Sequence, residues 1–376
     1  MICSYYYRGP EDQPWEFEET TWERINLLVG ASGSGKTKFT NTLFNFASSV
    51  VKGEPFRRGF WRIVARTASH EYLWEYDGGG TQSPSQVARE FAKRKDISAT
   101  NGYEVIVNRK PDEFLFCGNK LPKLQKDKSS ITLLKEEDTI RPLYETFGKV
   151  QRRSFHTEGL QDAFAIQNLP VTVIKKAKES GLEELWKQEH TVSAKMFLLK
   201  ENFPTIYRLA VEVFTSVFTT ITECDVRAMK SPPLRLSPET VVPEFVVKEK
   251  NVRDWIPLRE LSSGMQKVLL IVTDVLTLPK GSIYIIDEYE NSLGINAIDF
   301  LPDFLLHHGE DVQFFITTHH PYLINSMPMK TWRVFHRTGC KVAIKPGAEF
   351  EKKYGRSKQK AFVQLINDPF YTGIAE

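Results

Sequence analysis

Gly30-Ala31-Ser32-Gly33-Ser34-Gly35-Lys36-Thr37 is the stretch that decides how this chain folds. It fits the pattern G-x-x-x-x-G-K-[ST], a glycine-rich loop set between a strand and a helix. The run before it, Ile25-Asn26-Leu27-Leu28-Val29, is short and mostly apolar, as expected of a buried strand. From Lys36 a helical pattern begins, with Phe39, Leu43, Phe44 and Phe46 on its apolar side. The glycines let backbone N–H groups approach phosphate oxygens, and the positive end of the helix dipole favours the same anion. In that arrangement Lys36 reaches the β- and γ-phosphates of a nucleotide, and Thr37 ligates Mg²⁺.

A second apolar run, Ile283-Tyr284-Ile285-Ile286, follows the turn at Pro279-Lys280-Gly281 and ends in Asp287-Glu288. It reads as a central parallel strand. Open α/β sheets place their ligand sites at the carboxyl ends of such strands. Asp287 is therefore the natural partner of the Mg²⁺ shell, and Glu288 the natural group to polarise an attacking water. A third run, Val312-Gln313-Phe314-Phe315-Ile316, leads into Thr317-Thr318-His319-His320-Pro321. A histidine at this edge can contact a γ-phosphate, and His319 is the candidate.

Leu261-Ser262-Ser263-Gly264-Met265-Gln266 opens a stretch that is apolar on nearly every side as far as Leu278. That describes a buried helix, with Ser262 and Ser263 where an N-cap belongs. Its N-terminal N–H groups also suit a phosphate. A phosphate role for Ser262, Ser263 and Gly264 requires a second molecule, because in a site of this kind the helix start lies far from its own glycine loop.

Together these motifs resemble the ABC-type ATPase superfamily. Walker A corresponds to Gly30–Thr37, the signature to Leu261–Gln266, Walker B to Ile283–Glu288, a D-loop to Asn291-Ser292-Leu293, and the switch histidine to His319. Within the superfamily the chain resembles the RecF/SMC-like branch and the OLD-family ATPases of bacterial anti-phage systems. Asp287-Glu288-Tyr289-Glu290-Asn291-Ser292-Leu293 is similar to the branch's acidic run, and Thr318-His319-His320-Pro321 is similar to its histidine–proline run. Two departures stand out. Ser263 replaces a signature glycine, and Gly294 stands where OLD-like chains often carry histidine. Gln82, Gln86, Gln125 and Gln151 all remain open for the Q-loop glutamine, and Trp15 and Trp22 for an adenine contact.

The resemblance implies an α/β fold: a P-loop ABC-type head with a mixed sheet, an antiparallel side sheet and a short helical insertion in place of a long coiled coil. No sustained heptad supports a longer arm. Residues 1–159 form lobe I with Walker A and the side sheet. Residues 160–240 form the helical insertion, and 241–376 form lobe II with the remaining motifs. Phe60–Val64 and Glu71–Tyr76 are expected strands of the side sheet, the second broken by Gly78-Gly79-Gly80. Glu104–Asn108 and Glu113–Cys117 are expected to pair as a hairpin. The pattern from Leu160 to Met229 is helical, and Ser231-Pro232-Pro233 and Pro238 mark its exit. No Toprim nuclease domain is expected beyond His319.

A hydrophobic share of 41% supports a substantial core. No apolar run approaches the roughly 20 residues that span a bilayer. The start of the chain lacks a signal-peptide pattern. Cys3, Cys117, Cys224 and Cys340 are scattered, as in reduced cytoplasmic proteins. The net charge of +3 neither demands nor excludes nucleic acid. Four basic clusters are nonetheless candidates for phosphate contacts: Arg57-Arg58; Lys120, Lys123, Lys126 and Lys128; Arg152-Arg153; and Lys352, Lys353, Arg356, Lys358 and Lys360.

The function implied by the resemblance is hydrolysis of ATP with Mg²⁺, at a slow rate, by heads that self-associate through a composite ATP site. Such heads would regulate a separately encoded effector, with no membrane involved. A RecF-like DNA-clamping ATPase and a structural ATP-binding scaffold are the alternatives.

Overall fold

The structure is a computed structural model and describes residues 1–55, 58–79, 89–99, 101–154, 162–187, 190–230, 239–290, 293–355 and 358–373. The chain divides into two compact units. The first comprises Met1–Arg152, Gly281–Asp287 and Gln313–Glu376, and the second Arg153–Lys280 and Glu288–Val312.

The strands run in chain order as follows. β1 (Ile2–Arg8), β2 (Glu16–Thr21), β3 (Ile25–Val29), β4 (Phe60–Arg66) and β5 (His70–Asp77) come first. β6 (Arg89–Asp96), β7 (Glu104–Lys110), β8 (Glu113–Phe116), β9 (Asn119–Lys120) and β10 (Val150–Ser154) follow. The second unit then supplies β11 (Leu169–Pro170), β12 (Ile221–Ala228), β13 (Thr240–Val241), β14 (Pro243–Glu249) and β15 (Ile256–Pro257). The chain returns to the first sheet with β16 (Ile283–Asp287), β17 (Gln313–Thr317), β18 (Trp332–Thr338) and β19 (Lys341–Pro346).

The first unit is built on one 14-stranded sheet, in the order β10-β16-β17-β3-β18-β19-β2-β1-β4-β5-β6-β7-β8-β9. Its phosphate-site half is parallel: β16 pairs with β17, β17 with β3, and β3 with β18. Every residue of β3, β16 and β17 is buried, which is why these runs are mostly apolar and do not alternate. β18 and β19 then pair antiparallel, β19 joins β2 in parallel, and the ladder is antiparallel from β2 to β9. The expected side sheet is thus the far half of one mixed sheet. Its strands alternate in burial, as one-faced strands should. β5 ends at Asp77, whose carboxylate accepts from Gly79 N at 3.0 Å.

Helix α1 (Lys36–Lys52) packs on this sheet through Phe39, which is wholly buried. The Phe39 ring lies 5.2 Å from Tyr5 of β1, 5.8 Å from Phe17 of β2 and 4.6 Å from Trp22. It also meets Phe315 of β17 and Phe335 of β18. One residue of the first helical turn therefore touches four strands. The amide of Gln313, at the start of β17, accepts from Ile2 N and donates to Ile2 O and Glu23 O, so the first strand is tied in by side-chain hydrogen bonds. Two short helices, α2 (Ser130–Leu133) and α3 (Arg141–Gly148), complete the part described up to β10.

In the second unit, α4 (Val171–Ser180), α5 (Leu182–Lys187), α6 (Val192–Asn202) and α7 (Pro204–Val217) form the expected short helical insertion. The helical pattern ends earlier than the sequence suggests. Ile221–Ala228 is strand β12, paired antiparallel with β14. Its buried residues, Ile221 and Val226, do not follow helical spacing, and the β-branched Ile221, Thr222 and Val226 suit the pleat. The exit prolines Pro232, Pro233 and Pro238 lie outside the described residues.

Helix α8 (Ser263–Thr277) is buried continuously from Lys267 to Val275, as its all-round apolar pattern predicts. Its one acidic residue, Asp274, accepts from Lys195 of α6 at 2.5 Å and from Arg153 at 2.7 Å. Burial opposes ionisation of Asp274, but the two cations outweigh it and hold its carboxyl below the ordinary range. Helix α9 (Ile295–His308) closes this unit. No helix among the described residues is long and apolar enough to cross a membrane.

The packing around Phe39 predicts that Phe39→Ala lowers the stability of the first unit by about 3–5 kcal/mol. Urea unfolding followed by tryptophan fluorescence measures this, since Trp22 lies against the ring.

Candidate functional site

The phosphate loop owes its shape to two glycines. A Cβ on Gly30 would stand 2.6 Å from Phe335 O, so only glycine lets the loop leave β3 so close to β18. Gly35 has φ of 101°, a left-handed conformation, and forms the N-cap of α1 without a side-chain cap bond. The N-cap residue therefore places no side chain of its own over the first turn, which suits an external anion. Lys36 folds back over the loop and is almost fully buried. Its ammonium donates to Gly30 O at 2.8 Å, Ala31 O at 3.1 Å and Ser34 Oγ at 3.3 Å. Thr37 is exposed at the start of the helix.

Asp287 ends β16 at 3% exposure. Its Oδ1 accepts from Thr40 Oγ1 of α1 at 3.1 Å and from Thr317 Oγ1 of β17 at 3.4 Å. Its Oδ2 is held by Arg152 of β10, at 2.7 Å from Nε and 2.5 Å from Nη2. The first unit thus brings Lys36, Thr37 and Asp287 to one end of the parallel strands. Thr40 and Arg152 are additions that the sequence did not single out for this place. Thr40 is one helical turn from Lys36, a spacing that could have flagged it. Arg152 stood only in a basic pair read as a phosphate contact. Its partner, like the Asp274 partner of Arg153, is instead a buried carboxylate. His319 is exposed just beyond β17, and His320 has a buried Nδ1 with no hydrogen-bond partner among the described residues.

The two tryptophans left open separate cleanly. Trp22 is buried against Phe39 and Phe315. Trp15 is half-buried, and its ring edge lies 3.4 Å from where a Gly35 Cβ would be. Lys38 and Arg337 lie over its ring, 5.9 and 5.3 Å from the centroid. Gln151 lies in β10 and Gln125 in an exposed loop, while Gln82 and Gln86 fall outside the described residues.

The second unit holds the other motifs. Ser262 caps α8, its hydroxyl accepting from Met265 N at 3.3 Å. Ser262 and Ser263 are exposed and Gly264 is buried. Glu288 has φ of 49°, the left-handed region where a glutamate is strained. Lys267, on the second turn of α8, reaches this bend. Its ammonium donates to Tyr289 O at 2.6 Å and Glu288 O at 3.4 Å, and sits 5.6 Å from the centre of the Tyr289 ring. Burial lowers the Lys267 pKa to about 7, while the charges of Glu290 and Glu288 pull the other way. The signature helix and the bend after Walker B are therefore joined by a lysine that the sequence reading missed, although it directly follows the signature. Asn291 and Ser292 of the D-loop lie outside the described residues.

Comparison with known families gives a match over residues 106–325 to the family described as "AAA domain, putative AbiEii toxin, Type IV TA system". That span is more than half of the chain and includes the signature, Asp287 and Glu288. The chain belongs to this family. Among solved structures it is similar to an Smc head bound to the C-terminal winged-helix domain of ScpA. The two share 12% identity and a TM-score of 0.51, with 92% of this chain and 96% of that one covered. This similarity shows the SMC-head type of P-loop fold. An Smc head with an extended coiled coil from Pyrococcus furiosus, bound to the C-terminal domain of ScpA, has 11% identity and a TM-score of 0.46, covering 94% and 98%. An SMC head domain from Thermotoga maritima has 13% identity and a TM-score of 0.41, covering 92% and 98%. A comparison with curated proteins found no match.

Two outcomes test the geometry. Arg152→Ala leaves the buried Asp287 carboxylate without its cation and lowers stability by about 3 kcal/mol. Urea titration with and without Mg-ATP checks this: if Asp287 takes a cation, the loss shrinks when Mg-ATP is present. An equal loss in both conditions shows that it does not. For Lys267, the folded pKa of about 7 lies below the ordinary 10.5, so the unfolded chain binds the proton more tightly. Stability from this group is full above about 10.5 and is lost as pH falls through about 7. Wild type therefore gains stability relative to Lys267→Met between pH 7 and 9, read from urea midpoints.

Proposed function

We propose that this chain is a slow ATPase whose heads associate around ATP and so gate a separately encoded effector in bacterial anti-phage defence. The observation that carries the proposal is the joining of Asp287 to the phosphate-loop helix through Thr40. It ties the carboxylate of one motif to the helix that follows the loop of the other. The family's description, which names a toxin and a toxin–antitoxin system, supports the defence setting.

In this reading Gly30 through Thr37 hold the phosphates: backbone N–H groups point inward, Lys36 turns from its own loop carbonyls to the β- and γ-oxygens, and Thr37 and Asp287 hold Mg²⁺. Held there, Mg²⁺ would supply positive charge to offset what develops in phosphoryl transfer. The residues present fit it, since an exposed hydroxyl and a carboxylate are hard oxygen donors. Arg152 competes with a cation for Asp287, which supports slow turnover. Glu288 orients the attacking water, and His319 responds to the γ-phosphate. Ser262, Ser263 and Gly264 of a second copy present the start of α8, with its exposed serines, to the same phosphate. Closure is then favoured only by contacts made with ATP, so hydrolysis releases it.

The test is solution mass with and without Mg-ATP. Glu288→Gln should retain ATP and roughly double in mass, a shift that population arguments tie to ligand contacts in the closed state. Adding Ser262→Arg should leave ATP binding intact and block the increase, and Lys36→Ala should abolish binding. An ATP-driven increase that survives Ser262→Arg would remove the two-copy site from the proposal.

A further inference from the structure

The basic clusters of the chain meet different fates. Arg58 pairs with Asp12, Arg152 with Asp287, Arg153 with Asp274 and Lys353 with Asp368. Arg57 and Arg356 lie outside the described residues, as do the side chains of Lys358 and Lys360. The lysines around β9 differ. Lys110, Lys120, Lys123 and Lys126 are exposed, and among the described residues none of them has a carboxylate partner.

These four lysines line a cavity of about 290 Å³ between the β7–β8 hairpin and the loop after β9. That size is near the ~300 Å³ lower bound of ordinary ligand pockets, enough for one nucleotide unit and too small to admit a duplex. Phe114, Leu121 and Leu124 give the lining an apolar portion. Asp112 and Glu113 also line it, so the exposed lysines exceed the carboxylates by two (four against two).

Arg109 holds the wall in shape. At 3% exposure it pairs with the buried Glu90 at 2.8 Å. It also donates to Lys128 O at 2.6 Å, Gln125 O at 2.8 Å and Lys126 O at 3.2 Å. Glu90 in turn accepts from Ser130 N, which fixes the far end of the loop. The carbonyls of Gln125, Lys126 and Lys128 are thus turned inward to one guanidinium. Leu121 and Leu124 pack against the core of the sheet, and the lysines at 120, 123 and 126 recur every third residue alongside them in water. The cations are held on a pre-formed support, and a lysine's compact charge suits phosphates met at variable angles.

We propose that this pocket binds the phosphodiester backbone of single-stranded nucleic acid, with one base against the apolar portion and flanking phosphates on Lys120, Lys123 and Lys126. Backbone tracking by lysines beside an apolar seat gives binding with little sequence preference. The site is remote in sequence from every nucleotide motif and does not depend on the gating proposal.

The experiment is fluorescence anisotropy with a labelled oligothymidylate of about 16 nucleotides, a length typical of such sites, in the absence of ATP. The variant combines Lys120→Glu, Lys123→Glu and Lys126→Glu, all exposed and outside the ATP site. Wild type should bind, and the variant should bind more than tenfold more weakly. Its slope of log K against log salt should be smaller by about 2, at about 0.7 per lost phosphate contact. Turnover of ATP should be unchanged. Binding equal to wild type overturns the site. Displacement by inorganic triphosphate at equal phosphate concentration, with the same lysine dependence, also overturns the nucleic-acid assignment and makes a free polyphosphate the ligand. If ATP-driven association fails while the lysine dependence holds, the gating proposal falls and this one stands.

Discussion

Asp287 is an almost fully buried carboxylate, and much of the first unit is arranged around its partners. A buried charge needs partners from several directions. Here they come from α1, β17 and β10, so these three elements must agree in position with the end of β16. The parallel register supplies part of that agreement, with Ile285 opposite Phe315 and Ile316 opposite Leu27. The ring cluster on Phe39 supplies the rest, because it fixes the first turn of α1 against the same strands. The phosphate loop is then a short span between two fixed ends, and its glycines absorb the geometry that remains.

The parts legible in the sequence were those encoded locally. The loop pattern located β3 and α1, the apolar runs located β16 and β17, and Ser262 was readable as a cap because capping is settled within three residues. What escaped was set by distant partners. Nothing around Arg152 shows that it meets a residue 135 positions away, and an arginine pair in isolation looks the same whether it faces phosphate or carboxylate. The parallel pairing of β19 with β2, which fuses the side sheet to the nucleotide half, joins segments from opposite ends of the chain and leaves no local trace. β12 was missed because the periodic run before it is helical and its own strand character emerges only against β14. Lys267 was passed over because a lysine within an apolar helix tells nothing of the two carbonyls it reaches.

The chain also sorts its charges by depth. Glu90 with Arg109, and Asp274 with Lys195 and Arg153, are committed to single arrangements inside the fold. Those pairs specify geometry more than they add stability, since desolvation offsets most of the attraction. The lysines of the loop after β9 are supported by one such pair while remaining in water. An inner ion pair can in this way present an outer row of free cations without contributing to the row itself.

The left-handed backbone at Glu288 carries a consequence for any attempt to improve this protein by selection. Glycine would occupy that conformation with less strain, by roughly 1 kcal/mol or more. A library enriched only for thermal resistance would therefore drift toward Glu288→Gly and discard the side chain proposed to orient water. Robustness and turnover pull against each other at this one position, and screens on the family should hold it fixed.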